Sequence, residues 1–234
     1  MLQSVKNMKI SIHQPAYLPW LGYFDRIAKS DLFIFLDNVQ FEKNSYTNRN
    51  IIKGPNGPQW LTIPIKQKGH LNRKLYEIEI ATDIDWRSKH LKSIKHCYAR
   101  ANGFNEKYEK ILSLYDSNEK NLSNLCFTHL CFWLNELNIE TPIIRASNLI
   151  TTKKKSDLVL ELCSMFNATD YLSGPMGKDY LDEVKFNHHG IMIHYHHYQP
   201  HPYEQLFGSF VPFMGVVDYW FNQRDKESNN YGIF

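Results

Sequence analysis

Long apolar runs are missing from this chain: no 18 consecutive apolar residues occur, so no transmembrane helix is expected. Cysteine is scarce. Cys97, Cys126, Cys131 and Cys163 each fall in a stretch of helical spacing, and no CxxC pair is present, which argues against a disulfide framework or a zinc site. Reduced, buried thiols are expected instead. An excess of charge is also missing. A formal net charge of +3 gives no ground for a nucleic-acid partner. The GxSxG elbow of serine hydrolases, the GxGxxG dinucleotide fingerprint and the GxxxxGK[ST] phosphate loop are all absent. Nor is there an internal repeat, a low-complexity tract or an evident linker. Residues 1–8 (MLQSVKNM) have no apolar core of the kind a secretory signal carries, so they read as an extension and a cytoplasmic location is expected.

What is present is a soluble composition with ample core material. Hydrophobic residues make up 43% and charged residues 22% of 234 positions, which suits one domain over residues 9–234. Aromatic residues are plentiful, with 14 Tyr, 14 Phe and 5 Trp. Many of the Tyr and Trp stand beside polar turn residues, where rings with polar tips suit a pocket that stacks a sugar or a base; an aromatic core is the competing account.

The first ordered segment carries the strongest signal. Lys9 to His13 reads as a strand, Gln14 to Pro19 as a proline-fixed turn, and residues 20–29 as a helix through Leu21, Phe24, Ile27 and Ala28. The run Leu32 to Leu36 then reads as a fully buried parallel strand ending at Asp37. This βαβ unit would put His13, Gln14 and Asp37 on one sheet edge, where open α/β sheets bind ligands. Further on, residues 38–58 read as a polar loop, and 60–65, 76–80, 142–146, 171–174 and 191–196 as strands. Helices are expected over 86–99 with Asp85 as cap, 104–116, 121–138, 156–166 with Ser156 as cap, and 210–222. The alternation predicts a three-layer α/β sandwich with a mainly parallel, Rossmann-like sheet and a helical insertion over 86–138.

Four constellations could carry chemistry. His13 and Gln14 with Asp37 and Gln40 offer a general base beside a strand-end carboxylate, or a phosphate donor; a buried structural histidine is the alternative. Tyr46, Thr47, Asn48, Arg49 and Asn50, followed by Lys53, offer a guanidinium fork with amides around it, or an ordinary solvated loop. The turn from Ser173 to Asp182 holds two glycines, Lys178 and Tyr180 just after a strand, and could bind an anion at a helix start. Asp179 and Asp182 fit equally as residues favoured at a helix N-terminus. The histidines His188, His189, His194, His196, His197 and His201 do not by spacing make a metal site, and no metal is assigned; residues 198–203 suit a pocket rim. No cofactor can be named from the residues.

Taken together, His13-Gln14-Pro15, Tyr17, Pro19-Trp20 and Gly22-Tyr23-Phe24 make the chain resemble the WbqC-like family. The resemblance continues through Asp31 to Asp37, Val39-Gln40-Phe41, Tyr46, Asn48-Arg49-Asn50, Trp60 to Pro64, Tyr171 to Gly174 and Gly177 to Leu181. Met214 to Asp218 departs from the more aliphatic pattern expected there. The resemblance implies an association with bacterial cell-surface polysaccharide (O-antigen) gene sets, and hence a nucleotide-linked sugar, often an amino sugar, as substrate. Three functions stay open: a transferase forming an amide on such a sugar, with His13 and Asp37 catalytic; ATP-dependent nucleotidyl transfer or ligation, although the paired HxGH of nucleotidylyltransferases is absent; and a sugar-nucleotide-binding module without catalysis. In the first, Arg49 and Lys178 hold phosphate or carboxylate, and Tyr17, Trp20 and Tyr46 stack the ligand.

Overall fold

The structure, a computed structural model, describes residues 7–67, 69 and 72–223. The rest of the expected extension and residues 224–234 lie outside the described residues. Strand β1 (Lys9–His13) is followed by helix α1 (Leu21–Ala28) and strand β2 (Leu32–Phe35), so the leading βαβ unit forms as its apolar pattern predicts. Three later strands join it: β5 (Ile143–Arg145), β6 (Asp170–Ser173) and β7 (Met192–Tyr195). All pairings are parallel and the order is β5-β2-β1-β6-β7. Counting only these five strands in chain order, the sheet runs 3-2-1-4-5, a doubly wound arrangement. The chain leaves β1 toward β2 but returns on its other side at β6. The crevice between the carboxyl ends of β1 and β6 is therefore the topological switch point.

Alternation along the buried strands splits their side chains between two cores. Phe33 and Phe35 of β2 face one core with Phe24 and Ile27 of α1. Helices α2 (Trp86–Tyr98), α3 (Phe104–Tyr115), α4 (Leu122–Glu136) and α7 (Val216–Asn222) complete that layer. Leu32 and Ile34 face the other core with Ile10 and Ile12 of β1, and with α5 (Lys155–Met165) and α6 (Glu183–His188). The molecule is thus an α/β sandwich, with α2 to α4 inserted between β2 and β5. Asp85 caps α2 through Ser88 N at 3.2 Å, as expected. Cys97, Cys126 and Cys163 are buried, while Cys131 is exposed on α4, contrary to the expectation of four buried thiols.

Several expectations fail locally. Residues 49–62 form an antiparallel hairpin, β3 (Arg49–Gly54) and β4 (Gly57–Thr62), instead of a loop and a late strand. The turn closes at Gly57 with φ of +100°, a conformation that glycine adopts at little cost. Residues 76–80 form a 3-10 turn (Leu75–Glu77) followed by isolated bridges. Ser156 does not cap α5; its Oγ accepts from Asp182 N at 2.9 Å and ties α5 to α6. Gly177 and Lys178 lie in a 3-10 turn (Pro175–Asp179), and the helix starts later, at α6, capped by Asp182. Helix α7 begins at Val216 and not near Phe210, because Phe213 has φ of +60° and Gly215 must pass close to Leu18 O, 2.9 Å from where a Cβ would sit.

The hairpin fixes the turn after β1. Leu18 is held at φ of +44°, a left-handed conformation that strains a branched residue. The buried Asn50 amide clamps this turn, donating from Nδ2 to Tyr17 O at 3.1 Å and to Leu18 O at 2.6 Å. Asn50→Ala removes both bonds and leaves the carbonyls buried. An expected loss of about 1–3 kcal/mol in urea unfolding follows; an unchanged midpoint would show that the turn does not depend on Asn50.

Candidate functional site

His13 ends β1 at the switch point. Its Nδ1 lies 2.8 Å from the Gln14 carbonyl oxygen. A carbonyl only accepts, so Nδ1 carries the proton and Nε2 carries the lone pair. The ring packs edge-on against Tyr23, centroids 4.9 Å apart, and against Trp20 at 6.1 Å. Burial, reinforced by the Arg26 charge and opposed by the Gln14 bond, lowers its pKa to about 3. At neutral pH the imidazole is neutral, with the Nε2 lone pair unprotonated.

From Trp20 a row of rings runs along the surface. Trp20 meets Tyr46 at 5.8 Å, and Tyr46 meets Trp60 of β4 at 5.8 Å. The Arg49 guanidinium lies 4.5 Å over the Trp60 ring and donates to Asn44 O at 2.6 Å. Tyr46 and Trp60 are each about half exposed, at 46% and 48%, with Arg49 over the Trp60 ring. On the far side of Trp20, a small cleft is lined by Tyr198, His201, Tyr203, Phe210 and Met214. The segment after β7 thus reaches the rim expected for residues 198–203.

That segment is fastened across α1. Tyr198 packs on Gly22, where a Cβ would lie 2.7 Å from its ring. His196 hydrogen-bonds Asp25, which also takes a bond from Lys29 at 2.8 Å. Burial alone would raise the Asp25 pKa, but the bonds and charges of His196 and Lys29 outweigh it and lower the value. A carboxylate depressed in the folded state contributes stability above its unfolded value, about pH 4, and that contribution disappears as pH falls through the folded value. Urea titrations between pH 2 and 7 are expected to show a shallower acid slope for Asp25→Asn than for the parent; equal slopes would remove the linkage.

The remaining expected residues divide. Gln14 offers its carbonyl to His13 and to the Tyr23 hydroxyl at 3.3 Å. The half-exposed Tyr180 stands near Tyr171 and Arg26, and Lys178 Nζ sits 5.2 Å over the Tyr195 ring, both on the turn that follows β6. Asn48 is taken up by Ile63 O at 2.9 Å, and Gln40 bridges to Lys74. Tyr17 does not join the row of rings, because it is wholly buried. Its hydroxyl lies 2.8 Å from His90 Nδ1 and also bonds Tyr115. His90 Nε2 is 3.2 Å from Thr62 O, so Nε2 donates there and Nδ1 accepts from Tyr17. Asp37 is equally buried. Arg145 Nη2 reaches its Oδ2 at 2.7 Å and Nε at 2.9 Å, while Ser123, the Ser147 hydroxyl and Ser147 N supply the rest. None of these bonds joins Asp37 to His13. The other histidines are engaged separately: His194 pairs with Asp170 at 2.6 Å, and His188, His189, His197 and His201 are dispersed or exposed.

Arg26 is the residue that sequence reasoning missed. It sits in α1, reads as a surface cation, and is only 5% exposed. No sequence signal marks it, since the burial of the first seven residues of this helix is a property of the fold.

A sequence model of the WbqC-like protein family matches residues 14–230, which takes in the switch-point turn, the ring row and the strap across α1. The chain belongs to the WbqC-like family. A relative from Mycobacterium tuberculosis (strain ATCC 25618 / H37Rv), described as uncharacterized protein Rv1507c, is 34% identical over 216 residues, covering 92% of this chain and 93% of the relative. No solved structure matches this WbqC-like chain. Among its described residues no helix is long and apolar enough to cross a membrane.

Proposed function

We propose that this WbqC-like protein is a transferase modifying a nucleotide-linked amino sugar for bacterial cell-surface polysaccharide (O-antigen), by forming an amide on the sugar nitrogen. The observation that carries the reading is His13: at the switch point of a doubly wound sheet, its Nδ1 is occupied and its Nε2 lone pair is left to take a proton. As the sugar amine attacks an activated acyl carbon, the nitrogen loses a proton to Nε2 and the acyl carrier leaves. The row Trp20, Tyr46 and Trp60 supports stacking of a base or sugar, with Arg49 at its end. The assignment to cell-surface sugar chemistry draws on family membership, and the doubly wound order locates the site.

A thermal-shift panel on parent protein and His13→Ala tests it, with nucleotide-linked amino sugars, ATP with magnesium, acyl-CoA and S-adenosylmethionine. Ligands that bind only the folded state raise the melting temperature. A rise with nucleotide sugar, together with product formation in the parent alone, is expected. A rise with ATP and magnesium only would replace this reading with nucleotidyl transfer or ligation. Binding without turnover in both proteins would make the chain a sugar-nucleotide-binding module.

A further inference from the structure

We propose that Arg26 is an anion receptor, taking the diphosphate of the nucleotide-linked substrate at the β1–β6 crevice; the diphosphate identity rests on the substrate reading above. Its guanidinium is buried, yet among the described residues it has no ion pair, and Nε is buried with no hydrogen-bond partner. The ionisable groups acting on it are the phenols of Tyr171, Tyr23 and Tyr180, whose own pKa values burial pushes further up, so they remain neutral. The neighbouring Asp25 is committed to Lys29 and His196. A permanently charged side chain is therefore held out of water with nothing to balance it.

The backbone is shaped around that charge. At Gly174, the first residue after β6, a Cβ would lie 2.5 Å from Arg26 Nη1. A side chain at this position would push the guanidinium out of its place between the ends of β1 and β6. His13 feels the same charge across the crevice. An uncompensated buried cation is costly in the empty protein, and a planar guanidinium is matched in geometry to phosphate oxygens. Binding a diphosphate there would satisfy Nε or the terminal nitrogens and offset the charge that, after burial, helps to keep His13 neutral. Arg49 is half-buried and its Nε is likewise without a partner, but its guanidinium lies over the Trp60 ring and donates to Asn44 O, so it is already engaged where Arg26 is not.

The test uses inorganic pyrophosphate and malonate as probes on the full chain, with Arg26→Met, Gly174→Ala and Arg49→Met. Pyrophosphate is expected to raise the parent melting temperature by several degrees. The rise should vanish in Arg26→Met, vanish or shrink in Gly174→Ala, and persist in Arg49→Met. Without ligand, Arg26→Met should melt no lower than the parent, because methionine fills the site without a charge. A less stable Arg26→Met that keeps the pyrophosphate shift would overturn the proposal. So would a shift lost only in Arg49→Met, absent from the parent, or given by malonate alone. If Arg26→Met fails to fold, Gly174→Ala decides. If pyrophosphate binds through Arg26 but no nucleotide sugar does, the receptor stands and the substrate reading falls. If a nucleotide sugar binds equally to parent and Arg26→Met, the reverse holds.

Discussion

Asp37→Ala is expected to destabilise the folded protein by about 3–5 kcal/mol, because it leaves Arg145 with only the neutral Ser123 and Asn124 and its charge partner gone. For a domain of this length that lowers the melting temperature by about 6–20 °C. The size follows from geometry. Asp37 is fully buried, both carboxylate oxygens are used, and Arg145 presents two nitrogens to one of them. The pair also joins β2 to β5 just past their paired ends, where Phe35 is in register with Arg145. Replacing both partners by apolar residues of similar volume should cost far less, since no charge is then left alone. Thermal melts and urea unfolding of the single and double variants measure this. An Asp37→Ala protein as stable as the parent but without turnover would instead give Asp37 a chemical role and leave the stability argument wrong.

Asp37 also shows what a sequence can and cannot disclose. The apolar run Leu32 to Phe35 and its terminal carboxylate were legible, because a buried parallel strand has no polar face to break the run. The carboxylate's partner was not, since Arg145 lies 108 positions away and only the sheet order brings it near. The hairpin over 49–62 was illegible for a related reason. Asn50 and Lys53 count as solvent residues in any hydropathy pattern, yet both are buried, Asn50 on the Leu18 turn and Lys53 on Gln205 and Ser209. Polar residues satisfied by distant backbone erase the alternation that marks a strand. His13 was found because Pro15 and Pro19 punctuate the chain around it. Arg26 was not, because a basic residue inside a short helix is usually solvated, and its burial depends on β6 arriving beside β1 with a glycine at the point of contact. Tyr17 illustrates the opposite error: a ring beside prolines suggests a pocket wall, but it turns inward to His90 and Tyr115.

His13→Ala should reduce turnover by about 10²–10⁴-fold, the range for removing a positioned base, while leaving the fold intact. Its one hydrogen bond goes to the adjacent residue and its ring meets only Tyr23 and Trp20 edge-on, so no distant backbone depends on it. His13→Gln retains a polar group but no base, and should be nearly as slow; a binding role alone predicts that glutamine is tolerated. The pH profile separates the two accounts further. A base works in its unprotonated form, so activity falls as pH drops through its pKa. In the free protein that value is about 3, and kcat/KM governed by His13 should hold nearly constant down to strongly acidic pH until the fold itself fails. The kcat profile reports the substrate complex instead. If an anion balances Arg26 there, one of the two causes that depress the imidazole is removed, and the acid limb of kcat should move to higher pH than that of kcat/KM. In Arg26→Met the charge is absent in both states, so the two limbs should draw together. Superimposed limbs in the parent, with full activity in His13→Gln, would leave His13 as a binding residue and move the search for the base elsewhere in the crevice.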